Sequence, residues 1–166
     1  MGLFDIFKGK KEDMTPIKIC VISMIYLYSV DGDIAPEEVG QLLSVVGGKS
    51  TSTGIQVGGQ SKGFIEDCLS YVKSNKVTDF QNTVKDKLSD AQKLYIVVNM
   101  LDASLSDGKA SLSEEKLIEQ FIDVFEVDAS LLSTFVQVLE LKNDRNIFIE
   151  QDYVKNQPDF KFKISL

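Results

Sequence analysis

From Ile17 through Tyr28 the chain is apolar at nearly every position, and Thr15-Pro16 supplies a start signal directly before it. A side chain that caps the first amides, followed by a ring whose fixed φ suits the first turn, predicts a helix from Thr15 to Val30. A helix that is apolar all round belongs at the centre of a bundle. At roughly 20 apolar residues per bilayer crossing, this run is too short to span a membrane. A second such run starts near Ser89 and carries Leu94, Ile96, Val97, Val98, Met100 and Leu101 towards Asp107. Apolar residues at helical spacing predict amphipathic helices at about 36–46, 63–74, 78–88, 113–126 and 129–142, the last capped by Asp128. Phe121, Phe125, Leu131, Phe135 and Val138 fall on that spacing and read as core. The predicted fold is all-α, a compact bundle of about seven helices.

Both central helices end in the same way. Asp31-Gly32-Asp33-Ile34-Ala35-Pro36-Glu37-Glu38 and Asp107-Gly108-Lys109-Ala110-Ser111-Leu112-Ser113-Glu114-Glu115 each close an apolar helix with Asp-Gly and open the next with Glu-Glu. Part of this is helix punctuation. Glycine turns the chain at a helix end, acidic residues favour the positive end of the next helix dipole, and Ser111 with Glu114 stands at capping-box spacing, Ser113 competing as N-cap. Punctuation does not require an aspartate before each glycine. With Gly32 at the sixth position of an EF-hand loop, Asp31 falls at the fifth and Glu38 at the twelfth, where that loop has its bidentate glutamate. Leu27 would be first, and it cannot ligate. In the second copy Ala103 would be first, Asp107 fifth and Glu114 twelfth. Each loop therefore has about half of an EF-hand, and a hard cation would draw oxygen ligands from both copies or from solvent.

An apolar helix, Asp-Gly and a glutamate near the next helix start, occurring twice in an acidic chain, resembles the TerB family of tellurite-resistance proteins. The opening Met1-Gly2-Leu3-Phe4-Asp5 resembles the short amphipathic start of that family. The resemblance covers residues 14–142. It implies two pseudo-symmetric helical repeats, at about 14–75 and 88–142, with a divalent-cation site at their interface. The family's acidic positions fall on Asp31 and Glu38, with Asp33 beside them, and on Asp107 with Glu114 or Glu115. Counting from Asp107 favours Glu114, and matching the Glu-Glu pairs favours Glu115. The implied role is a cation-binding adaptor near the membrane, serving protein partners of a tellurite or phage stress-resistance system.

Composition narrows the chemistry. Acidic residues number 25 against 18 basic ones, a net charge of −7 that argues against nucleic acid as the main partner. The chain has no histidine, which removes imidazole zinc sites, Ser-His and Cys-His nucleophile systems and the usual neutral-pH base. A metal-dependent hydrolase built on the acidic cluster is the enzymatic alternative, but nothing else in the sequence supplies a nucleophile or a positioned base. Absence of enzymatic activity is the expectation. Ca²⁺ is the expected cofactor, with Mg²⁺ or Mn²⁺ next, since carboxylates are hard ligands. A helical scaffold whose acidic loops are merely solvated is the plain alternative. Cys20 and Cys68 lie in apolar helical patterns, as buried free thiols of a reducing, cytoplasmic setting.

Three segments depart from the helical order. Residues 47–63 hold Gly47, Gly48, Gly54, Gly58, Gly59 and Gly63 among Ser, Thr and Lys, with no acidic residue, and predict a mobile loop. Gly47-Gly48-Lys49-Ser50-Thr51 invites a phosphate-loop reading, but the motif's first glycine would fall at Leu43, and a helix precedes it where a strand is needed. Residues 1–13 form an amphipathic start, in which Leu3, Phe4, Ile6 and Phe7 precede Lys8, Lys10 and Lys11. That order is not a secretory signal, and it suits weak contact with an anionic membrane surface. Ile6 stands where myristoylation wants Ser or Thr. Residues 143–166 form a C-terminal extension in which Phe160-Lys161-Phe162-Lys163-Ile164 alternates with period two. With Ile147-Phe148-Ile149 it predicts a small hairpin, or an extended tail.

Overall fold

The computed structural model describes residues 14–32, 34, 38, 40, 42–44, 59–106, 110–161 and 163. The elements are α1 (Pro16–Tyr28), α2 (Gly59–Ser74), α3 (Val77–Val84), α4 (Asp90–Leu105), α5 (Leu112–Phe125), α6 (Ala129–Asn143) and the single turn α7 (Asn146–Ile149), with residues 38, 40 and 42–44 also helical. Among the described residues there is no strand. The fold is an all-α bundle.

α1 runs through the middle. Every residue from Ile19 to Tyr28 is buried, and the Ser23 hydroxyl is satisfied within the helix, donating to the Ile19 carbonyl at 2.9 Å. Its start follows the sequence: the Lys18 amide donates to Thr15 Oγ1 at 3.4 Å, and Pro16 opens the first turn. α1 packs on α2, α4 and α5, and α4 in turn carries α5 and α6. An aromatic row crosses the elements. Tyr26 meets Phe80 at 5.4 Å between ring centroids, Phe80 meets Phe121 at 6.5 Å, and Phe121 meets Phe125 edge-on at 5.3 Å. Such pairs add roughly 0.5–1.5 kcal/mol each beyond burial. Tyr26 also donates its hydroxyl to the Asn75 carbonyl at 2.9 Å, fixing the end of α2 against α1.

The starts of α4 and α5 are built alike. Ser89 and Gln92 form one reciprocal capping box, and Ser111 and Glu114 form the other. Ser113 is not the cap. α6 starts where the Asp128 carboxylate accepts the Ser130 amide at 2.8 Å.

Three expectations are corrected. Phe121 and Phe125 are core, but Leu131, Phe135 and Val138 are exposed, because α6 turns Leu132 and Leu139 inward instead. Helical spacing identifies a stripe without saying which of two stripes faces in. Gly59–Gly63 belongs to α2 and not to a loop. The remainder of the predicted loop, 47–58, lies outside the described residues. Ile147-Phe148-Ile149 forms a helical turn and not a strand, because the Asp144 carboxylate accepts the Asn146 amide at 3.2 Å and starts a turn there. Asp144 also accepts the Tyr153 hydroxyl at 2.8 Å and is ion-paired with Lys155, so this one carboxylate folds the extension back on itself. Of the alternating tail, Phe162 and residues 164–166 lie outside the described residues, as do residues 1–13.

Candidate functional site

The site is best built from Tyr28, the last residue of α1, which is 5% exposed. Burial pushes its phenol well above the usual tyrosine range, and the carboxylates of Glu38, Asp102 and Glu114 push it the same way. These groups come from four places: the end of α1, the helical residues after the first loop, the fourth turn of α4 and the first turn of α5. One glutamate from each doubled segment therefore acts on the same hydroxyl. α1 packs on both α4 and α5, which brings Asp102 and Glu114 near Tyr28 at its end.

The predicted residues divide as follows. Asp31 is exposed, and Glu38 is half-buried. Gly32 has φ +136°, the left-handed region that the Asp-Gly reading asked of it, and a Cβ there would meet nothing within 4 Å. The glycine is therefore needed for conformation and not for space. Glu114 is half-buried; its Oε2 accepts the Ser111 amide at 2.8 Å, and its own amide donates to Ser111 Oγ at 3.2 Å. The capping box thus holds this carboxylate in one orientation with one oxygen engaged. Glu115 is exposed and points elsewhere, into a groove between α5 and α6. Asp33 and Asp107 lie outside the described residues. Leu27, at the first EF-hand position, is buried at 1% exposure and holds no place open for a ligand.

Two members of this site escaped the sequence reading. Tyr28 was absorbed into an apolar run, although a phenol three residues before Asp31 was the available signal. Asp102 shows no signal in the linear pattern; its partners, Lys142 in an ion pair and Asn143 at 3.1 Å, are set by how α6 lies on α4.

A hard divalent cation asks for six or more oxygens, mostly from carboxylates, carbonyls and water. Among the described residues no three acidic, thiol or imidazole groups stand close enough to hold a metal ion. Asp102 is committed to Lys142 and Asn143. The thiols do not contribute: Cys20 and Cys68 are buried, free and pushed up to about 12 by burial. Among the described residues no helix is long and apolar enough to cross a membrane.

No family model, curated protein or solved structure matches this chain.

Proposed function

We propose that the protein is a non-enzymatic adaptor of the TerB type, in which Asp31, Glu38, Asp107 and Glu114 bind a hard divalent cation, Ca²⁺ first and Mg²⁺ or Mn²⁺ next. The observation that carries this reading is that Glu38 and Glu114, one from each doubled segment, both stand near enough to the buried Tyr28 to raise its phenol. Negative charge from Glu38, Asp102 and Glu114 gathers around that hydroxyl, and like charges repel. A divalent ion relieves that repulsion. Glu114 is near enough to Tyr28 to raise its phenol, whereas Glu115 lines the groove, which favours Glu114 as the ligand of the second segment. The buried phenol and the capping box do the positioning, and the cation supplies charge neutralisation that joins the two loops into one surface for a protein partner.

The setting that goes with this reading is the cytoplasmic face of a membrane in a stress-resistance system, with residues 1–11 giving weak contact. Sedimentation with anionic vesicles at low salt tests that part: full-length protein pellets, and protein lacking residues 1–11 stays in solution.

The test of the central claim is calorimetric titration of chelator-treated protein with Ca²⁺, Mg²⁺ and Mn²⁺. A saturable heat with Ca²⁺, lost when Asp31→Asn is combined with Asp107→Asn in a protein of unchanged helicity, is the expected result. Flat titrations with all three ions at millimolar concentration leave a helical scaffold with solvated acidic loops.

A further inference from the structure

α5 and α6 both lie against α4, yet they make few contacts with each other. The gap they leave over α4 is a groove of about 290 Å³. Its floor is apolar: Leu101 and Leu105 of α4, Ile118 and Ile122 of α5, and Val136 of α6. Its rim is acidic, with Glu115 and Glu119 on one side and Glu140 on the other. Among the described residues no basic residue lines it. Glu115, Ile118, Glu119 and Ile122 follow the i, i+3, i+4, i+7 spacing, so one face of α5 supplies both floor and rim. Among the described residues, Glu115 and Glu119 reach no ion-pair partner.

Each half of that description excludes occupants. Small-molecule sites usually enclose roughly 300–1,000 Å³ and surround most of the ligand, so an open trough of this size fits a row of side chains better. The acidic rim repels nucleic acid and anionic lipid headgroups. What fits is an apolar row of side chains flanked by positive charge. That is the face of an amphipathic helix with apolar anchors at i, i+3 or i+4, and i+7, and Lys or Arg beside them. We propose that this groove receives a basic amphipathic helix of a partner protein, with Glu115 and Glu119 pairing with its cations. The proposal takes from the preceding reading only the idea of an adaptor and needs no cation.

The chain contains no tryptophan, so a single tryptophan placed in a peptide reports on the peptide alone. The probe is a synthetic helical peptide with Leu at the anchor positions, one of them replaced by Trp, and Lys on the flanks. Its emission should shift to the blue and its anisotropy should rise saturably on titration with the full chain, more weakly at high salt. Glu115→Lys with Glu119→Lys should weaken binding about tenfold or more, as expected where two facing charge pairs become repulsive. Asp86→Lys with Asp152→Lys makes the same change in net charge on exposed positions outside the groove, and should weaken binding no more than about twofold. Ala110→Phe, which intrudes into the groove without altering charge, should abolish the blue shift. Equal weakening by both charge pairs, binding without a blue shift, or self-association of the chain broken by Glu115→Lys with Glu119→Lys each overturns the proposal. Titrations are run in chelator and in Ca²⁺. Peptide binding in chelator with a flat Ca²⁺ calorimetric titration retires the cation reading alone, and a Ca²⁺ heat with no peptide binding retires this one alone.

Discussion

Glu114 has two duties in the readings above, and they can be separated by substitution. As a cap, its Oε2 accepts the Ser111 amide at 2.8 Å; as a ligand, it offers charge and the remaining oxygen. Ser111→Ala removes the hydroxyl that accepts the Glu114 amide at 3.2 Å but keeps the backbone amide that orients the carboxylate. Losing an N-cap side chain costs about 1 kcal/mol, in a range of about 0.5–2. For a chain of 166 residues that is a fall of about 2–4 °C in melting temperature, the same with or without cation. Glu114→Gln keeps an acceptor for the Ser111 amide, since a capping box accepts Gln as readily as Glu. It gives up the charge near the helix start, about 0.3–1 kcal/mol. Its larger effect should appear only with cation. At a free concentration of about 100 times Kd, a ligand bound by the native state alone adds about 2.7 kcal/mol, which is roughly 5–10 °C here.

Melting followed by circular dichroism, in chelator and in millimolar Ca²⁺, reads both duties. Wild type and Ser111→Ala should gain the same increment from Ca²⁺, displaced by the constant cost of the cap. Glu114→Gln should melt close to wild type in chelator and lose at least half of the increment in Ca²⁺. A full increment in Glu114→Gln refutes Glu114 as a ligand. The second loop's role then passes to Glu115, and Glu115→Gln must lose the increment.

Other expectations concern the frame around the site. Among the described residues Gln81 Nε2 finds no hydrogen-bond partner, in a residue 2% exposed, so Gln81→Met, close in volume, should stabilise the fold by about 1–2 kcal/mol in urea unfolding. Glu126 ends α5 with φ +55°, and Glu126→Gly should stabilise by about 0.5–1 kcal/mol with the slope of urea unfolding unchanged. The buried Cys20 and Cys68 thiols are raised from about 9 to about 12, so the native state holds their protons more tightly than the unfolded state does. Their contribution is complete below pH 9 and is lost as pH rises towards 12, at up to about 1.4 kcal/mol per pH unit for each thiol. Urea midpoints should fall from pH 9 to pH 11, and Cys20→Val with Cys68→Val should flatten that fall.

The helices were legible wherever local chemistry decides them. Thr15-Pro16, the Ser89 cap, the Ser111–Glu114 box and Asp128 are short-range devices, complete within a few residues, and each stands in the structure where its sequence put it. The failures have separate causes. Leu131, Phe135 and Val138 form a valid apolar stripe, and so do Leu132, Val136 and Leu139; which one turns inward depends on how α6 approaches α4, and no local signal carries that angle. The hairpin strand expected at Ile147-Phe148-Ile149 was outweighed by Asp144, whose carboxylate captures an amide two residues ahead and a hydroxyl and an ammonium beyond it.

The candidate site was half legible. The duplication drew attention to Glu38 and the Glu114–Glu115 pair, because the repeated aspartate before each glycine, which punctuation does not require, is visible in one dimension. It left the register between Glu114 and Glu115 open, since adjacent helical positions differ by about 100° around the axis and sequence spacing serves either. In three dimensions that rotation sends the two glutamates to different surfaces. Glu114 acts on Tyr28 in the bundle's acidic corner, and Glu115 stands on the rim of the apolar groove. One turn of α5 therefore borders both the proposed cation site and the proposed partner groove, and a cation that draws Glu114 inward acts on the same backbone that holds Glu115 and Glu119 at the rim. If the two sites are linked, the linkage is reciprocal: Ca²⁺ changes peptide affinity by the same factor by which the peptide changes Ca²⁺ affinity.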